Sequence, residues 1–85
     1  MYSVEFSTEA LKVLKEVPRN LALRVTSKIA DLAIDPYAPN NNVKKLAVRP
    51  GDRLRMGDWR IIYDLNDALR ILAVERIAPR GGAYR

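Results

Sequence analysis

Arg53, Arg55 and Arg60 stand at a spacing that can do chemistry on an anion. Their chain offers few other reagents. It has no His and no Cys, so the usual neutral-pH general base, the usual metal ligand and the thiolate nucleophile are all missing. Any catalysis rests on Arg, Lys, Tyr and carboxylates. A fixed guanidinium matches phosphate oxygens with its planar fork and stabilises charge that develops on them. It is a poor proton donor or acceptor, because its pKa lies above about 12. The chemistry these residues suit is therefore binding or electrostatic catalysis at a phosphate. No metal and no cofactor is expected, since His and the Cys thiolate, the usual metal ligands, are absent.

The charge is unevenly placed. The 85 residues carry 15 Lys+Arg against 10 Asp+Glu, a net charge of +5. Residues 1–43 are balanced, with Lys12, Lys15, Arg19, Arg24 and Lys28 against Glu5, Glu9, Glu16, Asp31 and Asp35. The whole excess falls in residues 44–85, where Lys44, Lys45, Arg49, Arg53, Arg55, Arg60, Arg70, Arg76, Arg80 and Arg85 face five acids. A solvated face would account for a surplus of this size. Only the placement of the arginines in the fold distinguishes that from a site.

The elements that must place them follow from periodicity and turn chemistry. Tyr2, Val4 and Phe6 alternate and predict a first strand over residues 1–6. Ser7 or Thr8 can cap a helix reaching about Val17, with Ala10, Val13, Leu14 and Val17 inward. Pro18 suits the first position of a second helix, whose face is Leu21, Val25, Ile29 and Leu32 and which must end by Asp35, before Pro36. The two form a hairpin. After the turn-rich segment 36–42, three strand-like runs follow at about 45–56 with a break at Pro50-Gly51, 59–65 and 69–77, separated by Gly57-Asp58 and Asn66-Asp67. The predicted class is α+β: an N-terminal strand, a helical hairpin, then a three-stranded antiparallel meander, all in one sheet with the helices on one face. Residues 1–85 form one domain. No apolar stretch is long enough to span a membrane and no signal pattern opens the chain, so a cytoplasmic protein is expected.

A two-residue turn at Gly57-Asp58 pairs Met56 with Trp59 and hence Arg55 with Arg60. Alternation sends Leu54, Met56, Trp59, Ile61 and Tyr63 to one face and Arg53, Arg55 and Arg60 to the other. Trp59 and Tyr63 are thus expected in the core. A three-residue second turn, 66–68, sets Asp64 opposite Arg70 and Asp58 opposite Arg76, and brings Arg76 to the arginine face. Like charges facing across strands cost roughly 0.2–1 kcal/mol, so the Arg55–Arg60 pair points to an anion site unless Asp52, Asp58 or Asp64 neutralises it. By the same argument, removal of Arg60 should leave stability level or raise it. A flat basic surface fits a nucleic-acid backbone better than a small metabolite. Lys44 and Lys45 are candidates for positioning phosphate or are simply solvated.

The stretch Lys44-Lys45-Leu46, then Arg53-Leu54-Arg55-Met56-Gly57-Asp58-Trp59-Arg60-Ile61-Ile62-Tyr63, and the closing Arg80-Gly81-Gly82-Ala83-Tyr84-Arg85 resemble the RelE/ParE toxin superfamily across essentially the whole chain. The resemblance implies a toxin of a type II toxin–antitoxin pair. In the RelE branch such a toxin is a ribosome-dependent endoribonuclease that cleaves mRNA in the A site, and in the ParE branch a non-nuclease inhibitor of DNA gyrase. A member that only pairs with an antitoxin and represses its operon is a third reading. The resemblance implies catalytic roles for Arg53, Arg60, Arg80 and Tyr84, while the arginine face read from the register makes Arg55 and Arg76, with Lys44 and Lys45, the candidates for contacting RNA or phosphate. Arg60 would stabilise the scissile phosphate, Arg80 would act as general acid or phosphate ligand, and Tyr84 would orient a base. The implied partners are a cognate antitoxin, the ribosome and mRNA, with operator DNA reached only through the antitoxin complex and no membrane. Two positions depart from the nuclease pattern: Gly51 stands where a second lysine is usual, and Pro79 where a His precedes the closing arginine. The general base stays open among Tyr84, Lys45 and a carboxylate such as Asp52.

Overall fold

In the computed structural model, residues 1–46 and 50–79 are described. The chain enters as strand β1, Ser3–Phe6, and turns at Ser7 into helix α1, Thr8–Glu16. Ser7 holds that junction from both sides. Its oxygen accepts the Ala10 N–H at 3.0 Å, and its hydroxyl donates to the Glu75 carbonyl. A cap of this kind contributes about 1 kcal/mol, and here it also ties the helix to the last strand. Helix α2 spans Arg19–Ile34, with Pro18 as its N-cap, one position outside the expected start, and Asp35 as its C-cap. Val25, Ile29 and Leu32 are buried as the periodicity requires, joined by Ala33.

Four strands follow the helices rather than three: β2, Val43–Lys45; β3, Asp52–Met56; β4, Trp59–Asn66; and β5, Ile71–Pro79. The run over 45–56, expected with a break at Pro50-Gly51, is two paired strands, in which Lys45 faces Asp52. Pro50 has no N–H to offer a ladder, and Gly51 takes φ +116°, a conformation that side chains rarely adopt. The Leu46 N–H then donates to the Gly51 carbonyl at 3.1 Å and closes the turn. The sheet order is β1-β5-β4-β3-β2, antiparallel throughout except for the parallel β1–β5 pair. The α+β class stands, with a four-stranded meander in place of three.

The second turn also differs. Asn66 pairs with Ile71 across a four-residue loop, so Asp64 faces Ala73, Arg76 faces Ile62, and Asp58 lies in the first turn. The expected pairs Asp64–Arg70 and Asp58–Arg76 do not form. Asn66 favours the longer loop by accepting the Leu69 N–H on its side-chain oxygen at 3.1 Å, and Arg70 closes it at φ +53°. A β-bulge at Ile62/Tyr63 then restores the alternation, which returns Arg76 to the same face as Arg60.

The core lies between the helices and one face of the sheet. It gathers Ala10, Val25, Ile29 and Leu32 with Leu54, Met56, Ile61, Tyr63, Leu72, Val74 and Ile77. Trp59 packs half-buried against it. Tyr63 is 1% exposed, and burial pushes its hydroxyl well above the usual phenol range. Among the described residues, no helix is long and apolar enough to cross a membrane.

The end of the sheet away from the Gly57-Asp58 turn is fastened by a carboxylate. Asp67 accepts from the Tyr2 hydroxyl at 2.8 Å and from the Tyr37 hydroxyl at 2.6 Å, joining β1, the segment after α2 and the β4–β5 loop. The two phenols hold the Asp67 carboxyl below its ordinary range. The bond to Asp67 pushes Tyr37 up to about 12. The raised phenol contributes stability that is complete below pH 10 and is lost as pH rises from there through about 12. The lowered carboxyl contributes stability that is present above 3.8 and lost as pH falls through its depressed pKa. Phenolate absorbance should therefore show a late-titrating tyrosine near pH 12, and Asp67→Asn should move it toward 10. If every exposed tyrosine of the parent titrates at 10, the clamp does not hold in solution.

Candidate phosphate-binding face

The arginine face is built by one tight hairpin. Gly57 sits at φ +58° between Met56 and Trp59, and a Cβ there would meet nothing within 4 Å, so the turn needs its backbone freedom and not its small size. The register that follows sets Arg55 directly opposite Arg60, as expected. Two rows then cross the sheet on the side away from the helices. One runs Lys44, Arg53, Ile62, Arg76 and the other Arg55, Arg60, Ala78. Five of the eight residues singled out in the sequence thus share one face. Lys45 is not among them: it is paired with Asp52 and so belongs, with Tyr63, to the helix side. Arg80 and Tyr84 lie outside the described residues.

Within the face the arginines differ. Arg55 is exposed, Arg53 and Arg76 are half-buried, and Arg60 is 8% exposed. The Arg60 side chain folds back along the turn, and its Nη1 donates to the Gly57 and Trp59 carbonyls, each at 3.0 Å. These bonds argue against the expectation that losing Arg60 would leave stability level or raise it. A buried guanidinium with two backbone bonds contributes more than the cross-strand repulsion costs. The same bonds fix the charge in place, and preorganisation of that kind makes a cation effective toward a transition state.

The sequence offers Asp52, Asp58 and Asp64 as neutralising partners. An ion pair on this face joins Arg76 to Glu9 of α1, an acid outside that set, with Nε 3.8 Å from the carboxylate. At that length, and with Glu9 73% exposed, the pair is weak and screened. Glu9 reaches β5 because α1 packs beside the part of β5 that extends past its pairing with β1. Strand alternation alone carries no sign of it. Ile62 is 1% exposed on this outer face, outside the main core, with Arg53 and Arg76 as its cross-strand neighbours. The long stems of arginines are suited to covering such a residue while the charged heads stay accessible.

A model of the ParE toxin family of type II toxin–antitoxin systems (parDE) matches residues 4–84. The fold is similar to that of the archaeal RelE solved with RelB from Pyrococcus horikoshii, at 27% identity and a TM-score of 0.80, covering 96% of this chain and 98% of that one. It is also similar to a chain of the RelBE2 toxin–antitoxin complex of Mycobacterium tuberculosis, at 26% identity, a TM-score of 0.77 and coverage of 93% and 98%. The isolated E. coli RelE toxin matches at 17% identity and a TM-score of 0.78, covering 98% of this chain and 88% of that one, which speaks to the fold alone. No curated protein matches the sequence. The family match over nearly the whole length, on a fold shared with RelE, assigns this chain to the ParE toxin family of type II toxin–antitoxin systems.

Proposed function

We propose that this toxin is a ribosome-dependent endoribonuclease that cleaves mRNA in the A site and so arrests translation. The observation that carries the reading is the convergence of Lys44, Arg53, Arg55, Arg60 and Arg76 on one sheet face, with Arg60 locked in place by two backbone bonds. In the reaction, the 2′-oxygen of the RNA attacks the adjacent phosphorus and the 5′-oxygen leaves. The 2′-hydroxyl proton is released, and the departing oxygen takes up a proton. Arg60 and Arg53 stabilise the charge that builds on the non-bridging oxygens, and the resemblance adds Arg80 and Tyr84 as a further phosphate ligand and a base-orienting ring. Lys44 and Arg76 hold the flanking backbone. A cognate antitoxin is the expected partner, as it is for the solved relatives from P. horikoshii and M. tuberculosis, and operator DNA is reached through that complex.

The family match itself favours a second reading, inhibition of DNA gyrase without cleavage, since the matching family is that of the ParE toxin. Gly51 and Pro79, which stand where the nuclease pattern has Lys and His, point the same way. Primer extension on cellular mRNA after induction separates the two. Cuts in phase with codons are expected on the ribonuclease reading. A DNA-damage response without cuts would replace it with gyrase.

A further inference from the structure

Helix α2 presents two cations to solvent that the arginine face does not include. Arg24 and Lys28 are one turn apart and exposed, and neither forms an ion pair with a described residue. Like charges at this spacing cost a helix roughly 0.2–0.5 kcal/mol. With Arg55 they line an open cleft of about 480 Å³, bounded by α2, by residues 38–42 and by the end of β3 from Leu54 to Gly57. Arg55 is the cross-strand partner of Arg60, so the cleft begins where the arginine face ends.

The cleft is polarised. The C-terminal end of α2, where Ala33 receives the Tyr2 N–H, marks the end of the sheet remote from the Gly57 turn. Asp31 and Asp35 lie toward that end, Asp31 three residues from Lys28, while Arg24 lies seven residues from Asp31, about 10 Å back along the helix. Of the apolar residues that line the cleft, Leu32, Leu54 and Met56 are only 4–6% exposed and the exposed ones, Ala38 and Pro39, are small, so the cleft offers no large apolar surface to a peptide anchor. An acidic peptide laid along the cleft would meet the two aspartates. A phosphate held at the Arg24 end would lie about two turns or more of helix from both.

The geometry points to Arg24 and Lys28 as a second phosphate-docking site, which takes the backbone of the same RNA strand after it has crossed Arg55 from the cleavage face. The inference rests on the ribonuclease reading for the identity of the strand. It makes the two residues positioning residues, remote from the reacting atoms.

The test uses the full chain and a 12-nucleotide 2′-O-methyl RNA, which lacks the attacking hydroxyl. Its Kd is measured across a salt series for the parent and for the double variant Arg24→Gln/Lys28→Gln. The slope of log Kd against log salt should fall by about 0.7 for each phosphate that is no longer neutralised. On mRNA-programmed ribosomes the variant should show a raised KM with an unchanged kcat. A variant with the parent's slope overturns the inference and leaves the ribonuclease reading intact. The same slope combined with weaker antitoxin binding also overturns it, by assigning the cleft to a peptide. Absence of cellular cleavage, with the slope still dependent on Arg24 and Lys28, removes the ribonuclease reading and keeps the docking site. A parent that binds no RNA at low salt removes both.

Discussion

Arg60→Ala is expected to abolish growth arrest and to lower the melting temperature. Its guanidinium is 8% exposed and donates to two carbonyls of the turn it sits beside. Bonds from a charged donor contribute about 1.5–3 kcal/mol each when the acceptor would otherwise be buried, but Gly57 is exposed and its carbonyl can turn to water. Relief of repulsion with Arg55 returns roughly 0.2–1 kcal/mol. The net expected loss is about 1–2 kcal/mol, at roughly 4–8 °C in Tm per kcal/mol for a domain of this size. Arg60→Gln separates stability from chemistry. Its amide can still donate to a carbonyl, so it should melt closer to the parent, yet it carries no charge and should also fail to arrest growth. Melting curves and growth after induction check both effects. A fully toxic Arg60→Gln would remove the charge from the mechanism. An Ala variant melting at or above the parent would show that the two carbonyl bonds contribute nothing.

Local signals carried most of this fold. Glycine at position 57 between alternating strands set the Arg55–Arg60 pairing, and with it the inward placing of Trp59 and Tyr63. Ser7, Pro18 and Asp35 marked the helix ends to within one residue. The failures came where longer-range interactions decide. The β2–β3 hairpin depends on how Pro50-Gly51 turns the chain. The β4–β5 register depends on Asn66, on the left-handed Arg70 and on a bulge that no alternation pattern reveals. Arg76 reached its predicted face only because the register difference and the bulge compensate. The burial of Arg60, the Glu9–Arg76 pair and the Tyr2–Asp67–Tyr37 clamp join residues that strand pairing does not relate. Charge alternation can place an arginine on a face, but it cannot say whether the side chain stands in solvent or lies along the turn.

On the ribonuclease reading, cleavage of mRNA on the ribosome should rise with pH from about 6 to 9 with no descending limb, and free RNA should be cut at least about 100-fold more slowly. The chain contains no His and no Cys. Among the described residues, the groups whose titration the fold displaces move away from neutrality: Tyr37, Tyr63 and Tyr2 upward and Asp67 downward. A guanidinium stays charged throughout the range in which enzymes work, so stabilisation by arginine does not vary with pH. The remaining pH-dependent step is loss of the 2′-hydroxyl proton, which becomes easier as pH rises. General acid–base catalysis, typically worth 10²–10⁴-fold, has no neutral-pH donor or acceptor among these groups. Alignment of the 2′-oxygen with phosphorus must then supply much of the rate, and a translating ribosome holds mRNA in a fixed path where a free strand does not. Single-turnover cleavage of one RNA, free and on programmed ribosomes, measures both effects. A bell-shaped profile centred near neutrality would require a proton-transfer group supplied by the ribosome or displaced toward neutrality on binding. Equal rates on free and bound RNA would show that the arginine face aligns its substrate unaided.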